Sequence, residues 1–402
     1  MSLSKMSKMS KQVNAAVYLC TIIFSILFLA IGHKVATKDL ALFSDGGAGA
    51  VRARVTEILS AYEAEIDPYA QTPEETLRVT FAATLRSGPR KGERVTGMQT
   101  ADSFTPTEIR RVAPGDEVLL YEIEEADSES EERWVLQEFV RTNVLAWLGA
   151  LFVAALIFFG RRKGFHTVVS LGFTCLAIFA VFVPSVLSGF NMYVTSPVIC
   201  LYIIVMTLLL VNGANRKSLA AACGCFGGVC VSGLLVLVSD VFLKLTGLVD
   251  EQSVYLLYVN PDAPISLHGI IFSSIIIGAL GATLDVSVSI ASALAEVRDV
   301  MRRPTFAALF RSGMNIGRDI MGTMANTLVL AYIGSSLSLV LLLLVHSSSL
   351  VDMLNREIIV VETLQTLVGS IGLLCTIPLT SLLSAWVYTR ENDKTRDFEV
   401  IP

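Results

Sequence analysis

The sequence predicts a mainly α polytopic membrane protein. It has about eight transmembrane helices and a small extracytoplasmic β-barrel-like domain between helices 1 and 2. Three observations carry that expectation. Of 402 residues, 53% are hydrophobic and only 17% charged, with a mean hydropathy of +0.63, and apolar runs long enough to cross a bilayer recur along most of the chain. One interval, residues 33–143, breaks that composition, being charged and rich in turn residues. Lys and Arg gather at every second junction between apolar runs, as the positive-inside rule requires of a polytopic chain.

In chain order, residues 1–32 open with Lys5, Lys8 and Lys11 and continue into an apolar run at 13–31. No small-residue cleavage site comes after it, so the run reads as a signal-anchor with its N-terminus in the cytoplasm. Residues 33–143 carry five short alternating runs, at 51–59, 77–85, 94–98, 117–123 and 134–140. Ser87-Gly88-Pro89, Lys91-Gly92 and Pro114-Gly115-Asp116 separate them as turns. That pattern predicts a small antiparallel barrel. The seven cysteines all lie elsewhere, so no disulfide framework holds this domain. Its acidic run DSESEE, residues 127–132, reads as a solvated hairpin tip or a weak cation-attracting patch.

Residues 144–388 supply seven further helices, and residues 389–402 a charged cytoplasmic tail. The second helix ends at Arg161-Arg162-Lys163 and the fourth at Arg216-Lys217. The sixth ends at Arg298, Arg302 and Arg303, and the eighth at Arg390 and Lys394. The short loops on the other side hold only Arg356, with Lys244 at a helix end. Both termini are therefore expected in the cytoplasm of a cell membrane protein. Residues 305–314 are amphipathic and are expected to lie along the inner surface. Pro378 is expected to kink or break the eighth helix.

The sixth helix, residues 267–296, is apolar but carries Asp285 in its inner half. Ser274, Gly278, Gly281, Asp285, Ser289, Ser292 and Glu296 are spaced at three- and four-residue steps and share one face. A charge near the bilayer centre costs roughly 2.5–3.5 kcal/mol on insertion scales. This face is therefore expected to look into protein or water, and the apolar remainder toward lipid. The seventh helix aligns Asp319, Thr323, Asn326 and Thr327. The eighth aligns Glu362, Thr366, Ser370, Thr376 and Thr380.

The run GALGATLDVSVSI at 278–290 resembles the signature of YibE/F family membrane proteins. So do GRDIMGTMANTL at 317–328, and Gly369-Ser370-Ile371-Gly372 with Pro378-Leu379-Thr380. Ser87-Gly88, Lys91-Gly92, Gly115-Asp116 and Gly160-Arg161-Arg162-Lys163-Gly164 are similar as well. The resemblance covers most of the chain beyond the first helix. It implies a multi-pass bacterial membrane protein and supplies no reaction and no site residue.

Function must come from the polar stripes. Oxygen-bearing residues on three helices suit a hard cation or a proton-carrying carboxylate. The candidate ion or substrate-binding residues are Asp285, Ser289, Asn326, Thr323, Thr366 and Thr376. For the Ser and Thr positions, close helix packing is the competing explanation. A transporter or channel for a cation or small solute is the first reading. A non-transporting scaffold or signalling protein, with the external domain binding a protein partner, is the second. An enzyme is not expected: an intramembrane aspartyl protease needs two facing aspartates, and Asp240 lies near the surface while Asp285 lies deeper. No cofactor and no nucleic acid are expected, and the lipid bilayer is an expected partner.

Overall fold

A computed structural model describes residues 3–38, 49–63, 75–102, 110–123, 134–249, 251–259, 264–301 and 304–399. The acidic run at 127–132 lies outside the described residues, as do Asp250, Asp262, Arg302 and Arg303. The chain forms two compact units, one of residues 43–155 and one of residues 1–42 with 156–402.

The first unit is built from β1 (Val51–Glu63), β2 (Glu75–Leu85), β3 (Arg94–Asp102), β4 (Glu117–Glu122) and β5 (Trp134–Phe139). All five expected strands are present. They close into a barrel in the order β1-β2-β3-β5-β4. The ring is not wholly antiparallel, because β3 and β5 run parallel, with Gly97 opposite Trp134. Parity is the reason: five strands in a closed ring cannot all alternate in direction, so one pair must be parallel. This order is that of an OB-type Greek-key barrel. Phe81, Leu85, Val118 and Leu120 fill its interior with almost no exposure. Gly97 leaves room for the Phe81 ring, which a Cβ there would approach to 2.8 Å. Gln99, 4% exposed, closes the barrel wall: its Nε2 donates to the Arg110 carbonyl at 3.0 Å, and its Oε1 accepts from the Val112 amide at 2.9 Å.

The second unit is helical. Its elements are α1 (Leu3–Ala36), α2 (Thr142–Leu176, whose first turns belong to the barrel unit), a π-helical segment (Ala177–Phe182), α3 (Val183–Leu187), α4 (Met192–Asn212), α5 (Arg216–Leu243) and α6 (Glu251–Val259). Beyond these lie α7 (Leu267–Val300), α8 (Phe306–Ser335), α9 (Leu337–His346), α10 (Leu350–Asn355) and α11 (Glu357–Glu399). Six helices are long and apolar enough to cross a membrane, or seven if α8 and α9, bent by 58°, form one span. The chain is thus a multi-pass membrane protein.

One of the six, Thr142–Leu187, has 46 residues, about twice what a bilayer needs. It is broken at Arg161, whose φ of 50° and ψ of −125° are not helical. A Cβ on Gly164 would lie 3.2 Å from the Ile157 Cα. In an unbroken helix, residues seven apart are separated by about 10 Å along the axis. The chain therefore folds back on itself here, and only glycine fits at position 164.

Helix starts are capped as their sequences suggest. Asn191, Asn215, Ser266, Thr305 and Ser349 each accept a backbone N–H from the first turn of the adjoining helix. α1 is part of the bundle. Its His33 Nδ1 donates to the Ala180 carbonyl at 2.7 Å, and Phe28 stacks on Tyr202 with ring centroids 4.3 Å apart.

α5, α7 and α11 pack closely at the centre. Gly224 of α5 receives Thr380 of α11, Gly228 receives Thr376, and Gly372 of α11 receives Ser232 of α5. This is small-residue packing, which lets membrane helices approach closely where no hydrophobic force drives them together.

Two expectations are corrected. Residues 305–314 do not form a separate surface helix. They are the start of α8, with Leu309 fully buried and Gly313 against Ser381 and Leu294. Of the kink or break expected at Pro378, the break is absent, because α11 remains helical through it. Burial of Leu309 and the close approach at Gly313 dock the amphipathic segment onto the bundle.

Candidate functional site

α7 places Asp285 about 27 Å from its first residue and about 22 Å from its last, at 1.5 Å per residue. That is the middle of the span. One half of the expected orientation of this helix is overturned, that of its apolar sides. Its apolar sides, including Ile275, Ile276, Leu280, Val286, Ile290 and Leu294, are buried in the bundle. Its small and polar stripe is the outward face: Ser274, Gly278, Gly281, Asp285, Ser289 and Glu296 are all exposed. The reason is competition for the interior. α7 is flanked by α4, α5, α8 and α11, and its branched apolar side chains fill those interfaces more densely than Gly and Ser could.

The hydroxyls that α7 does bury are partnered. Ser273 meets Ser196 at 2.9 Å and donates to the Gly269 carbonyl at 2.7 Å. Thr283 lies 3.5 Å from the Cys225 sulfur and also donates to the Ala279 carbonyl at 3.1 Å. Asp285 differs. Among the described residues its carboxylate makes no hydrogen bond and no ion pair.

α8 passes α7 in the opposite direction. Leu294 of α7 is level with Gly313 of α8, and Gly278 is level with Tyr332, whose hydroxyl would be 2.7 Å from a Cβ there. Asp285 lies slightly beyond the midpoint between these two contacts. Along α8 the same depth falls near residues 323–324, by uniform helical rise. The open side of α8 at that depth carries Gly322, Thr323, Asn326 and Thr327. Gly281 on α7 and Gly322 on α8 have nothing within 4 Å of a Cβ position. Thr323 and Thr327 donate to carbonyls of their own helix, at 2.9 and 2.8 Å. Among the described residues, the Asn326 amide makes no hydrogen bond.

The six candidate residues therefore divide. Asp285 and Ser289 share an open face of α7, and Thr323 and Asn326 share an open face of α8 at about the same depth. Thr366 is half-buried on α11 and donates to the Glu362 carbonyl at 2.9 Å. Thr376 faces away from this surface: it is fully buried against Gly228 and donates to the Gly372 carbonyl at 2.9 Å. Spacing alone groups it with Thr366, but packing assigns it to the α5 interface. Tyr332 and Gln365, which close over Gly278, were not singled out by the sequence. Tyr332 is a lone polar residue in an apolar stretch, and Gln365 lies off the Glu362, Thr366 and Ser370 stripe, so neither gave a signal by spacing.

Among the described residues no group of three or more His, Cys, Asp or Glu converges as a metal centre would require. At this depth α7 offers a carboxylate and a hydroxyl, and α8 offers hydroxyls and an amide. Such a set can carry a proton or hold a weakly bound, partly hydrated cation.

No curated protein and no solved structure matches the chain significantly. The profile of the YibE/F-like protein family matches residues 148–390, more than half of the chain and all of the α7, α8 and α11 faces described above. The chain belongs to the YibE/F-like protein family.

Proposed function

We propose that the helical unit is a transporter or channel for a cation or small solute, with Asp285 as its ionisable site. One observation carries this reading: a carboxylate at mid-span, on an open polar face, that no group among the described residues neutralises. Burying an ionisable group in lipid is costly, and membrane proteins keep such groups where protons or ions pass. Asn326 and Thr323 on α8, with Ser289 beside Asp285, supply neutral partners for a bound ion.

We read the reversal at Arg161 as dividing Thr142–Leu187 into two spans. Counted with the bent α8–α9 pair, this supports eight crossings with both termini in the cytoplasm of a cell membrane and the barrel outside. A second reading is a non-transporting scaffold or signalling protein whose barrel binds a protein partner. Leu59 and Tyr62 on β1, more than half exposed, favour it.

The test is reconstitution in proteoliposomes with an imposed gradient of H⁺, Na⁺, K⁺, Mg²⁺ or Mn²⁺. Flux of one cation that Asp285→Asn abolishes is the expected result. No flux of any of these ions from the wild type, or equal flux from both proteins, overturns the reading.

A further inference from the structure

We propose that the arginine-lined groove where the barrel meets α2 binds the phosphate of an anionic phospholipid headgroup. The groove arises from strand register. Ala53 of β1 is opposite both Leu85 of β2 and Val118 of β4, and Val118 is opposite Phe139 of β5. The start of β1, the end of β2, the start of β4 and the end of β5 therefore gather at one end of the barrel. α2 begins three residues after Phe139, at Thr142. Arg52, Arg54 and Arg86 converge there with Glu117 and Asn143 around a cavity of about 400 Å³.

The charges in this groove do not cancel. Asn143 Nδ2 donates to Glu117 at 2.9 Å, and Arg52 Nη2 donates to the Thr142 hydroxyl at 3.3 Å. Among the described residues, the Arg54 and Arg86 guanidinium groups have no hydrogen bond and no ion pair. Three guanidinium groups against one carboxylate leave a net positive site. At the other end of β1, by contrast, Glu63 is paired with Arg111. The uncompensated guanidinium groups therefore gather at the end of the barrel where α2 starts.

The chain beyond Asn143 identifies the occupant. Within four residues of Asn143, α2 exposes Val144, Leu145 and Trp147, and Leu148, Leu151 and Phe152 continue that surface. This is a lipid-facing surface that begins with an interfacial aromatic. Asn143 lies one turn, about 6 Å, before Trp147. A bilayer's headgroup layer is roughly 5–8 Å thick on each side of the hydrocarbon. The groove therefore sits at the depth of the lipid phosphates. Guanidinium groups suit that ligand, because their planar donors grip phosphate oxygens in pairs.

The experiment uses the full-length protein in neutral detergent, titrated with dioleoylphosphatidylglycerol and followed by native mass spectrometry. A photoreactive headgroup analogue maps the bound lipid to peptides. The expected result is crosslinking to the peptides holding Arg52–Arg54 and Arg86. At least a tenfold loss of affinity is expected in Arg54→Gln/Arg86→Gln, with Arg54→Lys/Arg86→Lys intermediate. Phosphatidylcholine should bind weakly. Arg94→Gln, which removes the partner of Glu57 elsewhere on the barrel, should change nothing. Hydrogen exchange over β2 and β3 reports whether the variant barrels are folded; the lysine pair keeps the comparison if the glutamine pair is not. Equal lipid retention by wild type and both double variants, or crosslinks confined to the bundle, overturns the proposal. Displacement of the lipid by millimolar inorganic phosphate also overturns it, in favour of a free-phosphate site.

Discussion

A side chain added at Gly228 of α5 would occupy the space of the Thr376 hydroxyl on α11. The same interface repeats one turn away on either side, where Gly224 meets Thr380 and Gly372 meets Ser232. Gly228→Leu forces these helices apart. It should cost about 1–3 kcal/mol or more, the usual penalty for overpacking a dense interior. Thermal unfolding in detergent measures this. Thr376→Ala should leave flux unchanged, since its hydroxyl bonds within its own helix. A Thr376→Ala protein that folds normally but transports nothing would return Thr376 to the site.

Asp285→Leu tests whether the carboxylate is structural. Its outward position and lack of a hydrogen-bond partner among the described residues predict a folding stability equal to or above wild type, because an unpaired carboxylate in a span is replaced by an apolar group. Melting temperature and monodispersity in detergent decide it. A fall of several degrees would show that the carboxylate is held by a structural partner.

Ala214, between α4 and α5, and Ser348, between α9 and α10, are exposed and lie at opposite ends of their spans. Single cysteines placed there, with native cysteines replaced, should label from opposite sides of the membrane. With an impermeant maleimide on intact cells, Ser348→Cys is expected to react and Ala214→Cys to react only after permeabilisation. Labelling of both from outside would refute the eight-crossing arrangement.

Gln99→Leu keeps the size of the side chain but leaves the Arg110 carbonyl and the Val112 amide without partners. An unpaired buried polar group costs about 1–3 kcal/mol. Faster hydrogen exchange in β3 and around residues 110–113 is the expected signature, with the helical unit unaffected. Unchanged exchange there would mean that the segment is held by other contacts.

Hydrophobic run length and turn chemistry made the two-part architecture legible. Ser87-Gly88-Pro89 and Pro114-Gly115-Asp116 marked strand ends because those residue types limit the backbone directly. The parallel β3–β5 pair was not legible, since alternation records burial and not direction. In the spans, spacing showed which residues share a helix face but not where the face points. Thr376 and Asp285 lie on similar polar stripes, yet one is sealed against a glycine and the other faces outward. The α5 face of Gly224, Gly228 and Ser232 drew no attention because it carries no charge. Its regular four-residue spacing was nonetheless the packing signal that accounts for Thr376.

Arg52, the second residue of β1, reaches Thr142, the first residue of α2, within hydrogen-bond distance. The chain thus enters and leaves the barrel at neighbouring points. An insertion built this way is a cassette: its ends are already together, so joining the flanking segments by a short linker involves little loop-closure entropy. Such a module can be lost, exchanged or tagged without redrawing the helices on either side, as domain insertion at adjacent termini generally permits. The family match, which begins at residue 148, starts just past the point where this cassette closes.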